Sequence, residues 1–149
     1  MPALGGAAAQ PLRFLNSLIY QPIRAVLLYG AGVTVDAAAP ERYAIHKLIV
    51  ADRRRTDDDG TAKSRKDLAQ TTAIIEAMIE QRQKEDLADA FMEAYDRGPA
   101  WKEAIRKSTG RIEDDVRRSI QSAFADGIRK LERDPAEYDL KGVAAVPKA

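Results

Sequence analysis

The sequence predicts an α+β fold that is mostly helical, with one short β-hairpin near residues 24 to 36 followed by four or five helices packed as a bundle. Three observations predict it. Two strand-like runs, RAVLLY from Arg24 and VTVD from Val33, flank Gly30-Ala31-Gly32, which reads as a hairpin turn. Downstream, apolar residues recur at helical spacing, most cleanly at Ile112, Val116, Ile120, Phe124, Ile128 and Leu131. Prolines at 40, 99 and 135 stand where helices would open or stop.

The elements follow in order. The first dozen residues are small and polar. Pro11 can open a short helix through Leu12, Phe14, Leu15, Leu18 and Ile19, which Pro22 stops. The hairpin comes next, with one buried strand followed by a loop as the alternative. Pro40 suits a first helical position, and Glu41 complements the helix dipole. That helix runs to about Arg54, with Ala44, Ile45, Leu48, Ile49 and Ala51/Asp52 as its buried stripe. Asp57-Asp58-Asp59-Gly60 reads as a polar loop. The next helix starts near Thr61 to Ser64 and carries Leu68, Thr71, Thr72, Ile75, Met78 and Ile79 on one face. A bend near Gln83 leads it on through Leu87, Phe91, Ala94 and Tyr95 to Gly98-Pro99. A short helix with Trp101, Ala104 and Ile105 ends at Gly110, and the last helix stops at Asp134-Pro135. From Glu137 the sequence has no period and is expected to be loosely held. The organisation expected is a short helix and hairpin over 1–36, a helical domain over 37–135 and a flexible tail over 136–149.

Composition narrows the chemistry. The 149 residues are 45% hydrophobic and 32% charged, enough apolar matter for a core and enough charge for long solvated helices. A formal net charge of +1 excludes a globally basic nucleic-acid coat but leaves room for a local basic patch. The chain has no cysteine, which excludes disulfides, cysteine-based zinc sites and a thiol nucleophile. The single histidine, His46, excludes a multi-histidine metal centre. The N-terminus MPALGGAAAQPL has neither a basic lead nor a long apolar stretch. The most apolar region, Leu15 to Val35, is interrupted by Gln21, Pro22 and Arg24 and falls short of the roughly 20 apolar residues of a membrane span. A cytoplasmic location without membrane association is expected.

The candidate site is APERYAIHKLIVADRRR, residues 39 to 55, followed by KSRKDLAQ, residues 63 to 70. Lys47 and Arg54 lie seven apart on one helix, hence on one face, and Tyr43 shares it. Arg53 and Arg55 flank that face. Lys63, Arg65, Lys66 and Asp67 open the second helix. Helices joined by an eight-residue polar loop are expected to be antiparallel neighbours, so the basic ends converge. Such a cluster suits a triphosphate or a nucleic-acid backbone. It equally suits a solvated helix end in which Asp67 pairs with Arg54 or Arg55. The Asp57–Asp59 run reads as a solvated turn before a Mg²⁺ site. Asp36, just after the second strand, is a weaker candidate. Arg42 and His46 stand one turn apart, and His46 reads as a partly buried histidine hydrogen-bonded to a neighbour. Phe91, Tyr95, Trp101, Ile120 and Phe124 read as core or as a partner-facing seam.

Four segments in order, PALGGAAAQPLRFLNSLI, AVLLYGAGVTV, APERYAIHKLIVADRRR and AKSRKDLAQ, resemble the C-terminal part of a bacterial family of nucleotidyltransferase-fold proteins of the DNA polymerase beta-type superfamily. Nucleotidyltransferase-like toxins share a looser theme, here Lys47-Leu48, Arg53 or Arg54, and Lys66-Asp67. The resemblance implies transfer of a nucleotidyl group from an NTP to an acceptor hydroxyl, with Mg²⁺ held by carboxylates of a Gly-Ser…Asp-x-Asp motif and a further strand. It implies nucleotide binding by Lys47, Arg53, Arg54, Lys66 and Asp67, with His46 and Asp36 nearby. Residues 1–36 would then be a remnant of the catalytic core. No Gly-Ser with a downstream Asp-x-Asp occurs in this sequence, so the chain is expected to be the C-terminal portion, inactive alone. NTP and Mg²⁺ then belong to the complete protein, and the partner expected is an N-terminal nucleotidyltransferase half, with a nucleotide or nucleic acid as ligand.

Overall fold

The computed structural model describes residues 15–54 and 58–140. A short helix α1 (Leu15–Leu18) leads into an antiparallel hairpin, β1 (Ile23–Leu27) and β2 (Val33–Ala37). Five helices follow: α2 (Pro40–Arg53), α3 (Asp58–Glu80), α4 (Lys84–Asp96), α5 (Pro99–Thr109) and α6 (Asp114–Lys130), and then a 3₁₀ turn at Pro135–Tyr138. The α+β class and the hairpin therefore stand as expected. Of the expected first helix, Pro11–Phe14 lie outside the described residues.

The hairpin pairs Ile23 with Ala37, Ala25 with Val35 and Leu27 with Val33. Its turn depends on two glycines in the left-handed region, Gly30 at φ 58° and Gly32 at φ 92°. Asp36 lies inside β2, opposite Arg24.

Helix α2 is the centre of the bundle, packed on α3, α4 and α5. It buries Ala44, Ile45, Leu48, Ile49 and Ala51. Two expectations fail around α3. Asp58, Asp59 and Gly60, read as loop, form its first turn, where the Asp59 carboxylate meets the positive end of the helix dipole. The α2–α3 connection is therefore residues 54–57 instead of eight residues. At its far end, the continuous bent helix is two helices. Arg82 takes φ 62°, its N–H donates to the Ile79 carbonyl at 3.1 Å, and Gln83 N–H donates to the Met78 carbonyl at 2.9 Å. That pairing is a Schellman stop, built without the glycine that would have announced it. Glu132, at φ 58°, ends α6 the same way, with Arg133 N–H on the Ile128 carbonyl at 3.0 Å.

The core runs through all five of these helices, and its aromatic part lies between α4 and α6. Phe91 and Phe124 stack with centroids 4.3 Å apart, and Tyr95, Ile120, Ile128 and Tyr138 close around them. Of the aromatics read as core or seam, Trp101 is only partly buried, against the Arg97 guanidinium at 5.3 Å. The α6 stripe is buried in the middle and half-buried or exposed at Val116 and Leu131. A spacing of four residues drifts off a turn of 3.6, so a long stripe rotates away from the core at its ends. Ile112 is buried but precedes the helix. The segment from Glu137, expected to be loose, is docked as far as Leu140: Tyr138 and Leu140 are buried, and Tyr95 OH donates to the Asp139 carboxylate.

Helices α4 and α6 approach closely at Gly127, where an added Cβ would stand 2.2 Å from the Lys84 carbonyl oxygen and 2.6 Å from Ala88 Cβ. Backbone cannot yield there without separating the helices. Gly127→Ala should therefore destabilise the fold by about 1–3 kcal/mol. Gly110→Ala, whose nearest contact would be an ordinary 3.4 Å, is the comparator. Equal urea midpoints for the two variants would refute the close approach.

Candidate functional site

The α2–α3 seam is a row of buried polar side chains on α3 facing α2. Ser64, Asp67 and Thr71 are spaced three and four apart, hence on one face. All three are buried. Ser64 Oγ donates to the Ala51 carbonyl at 2.5 Å and Thr71 Oγ1 to the Ala44 carbonyl at 3.1 Å. These bonds pin the register of the two helices. The spacing puts Thr71 on the packing face of this helix and Ser64 near its start, but the partner of neither is legible, because a serine or threonine within an amphipathic helix carries no local signal of it.

Asp67, 3% exposed, sits between them and gathers the two cations. Lys47 Nζ donates to Oδ1 at 2.7 Å and Arg54 Nε to Oδ2 at 2.9 Å. The Lys47 ammonium also lies 5.3 Å from the centre of the Tyr43 ring. Burial by itself lowers the Lys47 pKa, but the hydrogen bond and charge of Asp67, with Tyr43 adding to them, raise it overall. His46 is half-buried beside this group. Burial, and then the Lys47 ammonium, hold its imidazole below the ordinary value, with Asp67 acting against them and Arg54 with them. Its Nδ1 is buried without a hydrogen-bond partner among the described residues.

The seven-residue spacing of Lys47 and Arg54 thus does bring them together, and Asp67 is their common counter-charge. Its two carboxylate oxygens are both engaged from within the chain. Arg54 uses Nε for Asp67. The other expected members are elsewhere. Arg53 turns to α5, donating to the Ala100 carbonyl at 3.0 Å. Lys66 is exposed, about 100° around α3 from Asp67. Asp36 is exposed in the hairpin. Arg55 lies outside the described residues.

Arg42, on the next α2 turn, is buried and structural in its contacts. It donates to the Ser17 carbonyl at 3.2 Å and pairs with Glu93 at 2.7 Å, and it lies 4.8 Å from the Tyr20 ring centre. That holds α1 to the bundle. The hydrogen bond from Arg42 lowers the Glu93 pKa despite the opposing effect of burial. Among the described residues, no group of three or more His, Asp or Glu is placed to hold a metal ion. Asp59 pairs with Lys63, Asp114 with Arg117 and Asp115 with Arg118. No helix of the described residues is long and apolar enough to cross a membrane.

The model of a family described as nucleotidyltransferase matches residues 1–96, a span that ends with α4 and contains the whole α2–α3 seam. No curated protein and no solved structure matches the chain.

Proposed function

The chain belongs to the nucleotidyltransferase family, and from that premise we propose that its α2–α3 seam contacts the phosphates of an NTP during transfer of a nucleotidyl group to an acceptor. One observation carries the reading: Lys47 and Arg54 are held side by side by a buried Asp67. A phosphate needs several donors at once. Cations already fixed by an internal carboxylate lose little freedom on meeting it. Asp67 serves as the strut, since both its oxygens are taken and a carboxylate repels phosphate. Lys47 and Arg54 make the contact. His46, neutral at neutral pH by the direction of its shift, lines the same group.

The cations fit a triphosphate. Mg²⁺, when bound, would polarise the α-phosphate, but the described residues do not offer it a carboxylate set. Those ligands are assigned to an N-terminal nucleotidyltransferase half, in the same protein or a separate one. We therefore expect no label transfer from NTP by this chain alone.

Titration with a fluorescent NTP analogue tests the site. Lys47→Ala and Arg54→Ala should each weaken binding roughly tenfold or more, while Lys66→Ala changes it little. Binding that ignores Lys47 and Arg54 overturns the reading. Tighter, salt-sensitive binding of a single-stranded RNA with no response to NTP would assign the same cations to a nucleic-acid backbone.

A further inference from the structure

A further arginine reaches the α2–α3 seam from outside those two helices. Arg111, on the turn between α5 and α6, donates from Nη1 to the Ala51 carbonyl at 3.4 Å. Ser64 Oγ donates to the same carbonyl at 2.5 Å. Ala51 lies in the last turn of α2, and Arg54 caps that helix three residues later. Ser64 stands three residues before Asp67, about 4.5 Å along the α3 axis. Arg111 thus arrives roughly one helical turn from the carboxylate that gathers Lys47 and Arg54.

The core fixes the turn that carries it. Arg111 N–H donates to the Ser108 carbonyl and Ile112 N–H to the Thr109 carbonyl, both at 3.1 Å. Ser108, Thr109 and Ile112 are buried, and Ile112 lines one groove with Leu68 of α3. Arg111 itself is exposed, and no carboxylate among the described residues pairs with it. A guanidinium at the carbonyl end of α2 suits the helix dipole. Capping alone underuses it, however. Ser64 already satisfies the Ala51 carbonyl, the arginine's bond there is longer than usual, and it engages one of five N–H donors.

We propose that Arg111 is a third phosphate donor of the seam, one that sets a preference for a triphosphate over a monophosphate; this rests on the reading of Lys47 and Arg54 given above and extends it to a residue beyond the matched span 1–96. Lys47 and Arg54 outnumber their shared carboxylate by one charge. Arg111 adds a second without adding a carboxylate. Two cations side by side suffice for a single phosphate. A donor one helical turn farther along helps only an anion long enough to reach both places. Its planar guanidinium can offer such an anion two parallel N–H groups.

Displacement of the fluorescent NTP analogue from the full chain, by sodium tripolyphosphate and by inorganic phosphate, tests this. Arg111→Ala should weaken tripolyphosphate about tenfold and leave phosphate nearly unchanged, with the helical circular dichroism spectrum intact. Lys66→Ala removes the same charge away from the seam and should keep the wild-type preference. If Arg111→Ala does not fold, Arg111→Gln, which keeps a donor for the Ala51 carbonyl and loses the charge, should show the same loss. A folded Arg111 variant that binds tripolyphosphate like wild type overturns the proposal. So does one that loses both anions equally, or a Lys66→Ala chain that loses the preference to the same extent. Failure of the underlying reading looks different: Lys47→Ala and Arg54→Ala then leave the binding of both anions unchanged.

Discussion

Phe124→Ala should destabilise the protein by about 3–5 kcal/mol. The ring is 1% exposed and stacks on Phe91 at an interplanar angle of 14°. Removing it deletes the centre of the α4–α6 contact. It also enlarges a small cavity of about 80 Å³ that Phe124 already lines with Tyr95, Ile105 and Tyr138. Urea unfolding followed by circular dichroism and by Trp101 fluorescence gives the number. Phe124→Leu, keeping most of the volume, should lose about 1.5 kcal/mol or less. A near-neutral alanine variant would mean that this face of α6 is not core.

The second large effect is expected at Asp67. Removing its carboxylate leaves Lys47 and Arg54 side by side without their shared counter-charge. Breaking a fully buried pair costs about 3–5 kcal/mol. Here the two cations are 18% and 36% exposed and can turn partly to water. Asp67→Ala should therefore cost about 2–4 kcal/mol. Asp67→Asn should recover little, because its amide nitrogen presents donors to donors. The adjacent exposed Lys66→Ala should stay within about 0.5 kcal/mol of wild type. The same denaturation experiment compares all three. If Asp67→Ala is as stable as wild type, the carboxylate is no strut, and the cations must be held by something else.

Much of the architecture is legible in local signals. The hairpin announces itself through Gly30 and Gly32, because a reversal with positive φ favours glycine. Pro40 and Pro99 mark the starts of α2 and α5 for an equally local reason. Helix stops at Arg82 and Glu132 are illegible, since ordinary residues there adopt the left-handed conformation under the hold of tertiary packing. The acidic run at 58–59 is ambiguous in sequence: the same residues serve a solvated turn or a helix start, and only the placement of α3 against α2 chooses between them.

At the candidate site the division is similar. The seven-residue spacing alone carries Arg54, which caps α2, round to the face of Lys47. Tertiary packing makes Asp67, on another helix, the partner of both cations. It alone turned Arg53 away to the start of α5 and left Lys66 in solvent. It alone placed Ser64 and Thr71 under α2 and left Ile23, Leu27 and Val33 of the hairpin exposed. Periodicity sets the direction of a side chain about its own helix axis. Which neighbour stands in that direction depends on how the helices pack, and that is a balance of contacts between residues far apart in the chain.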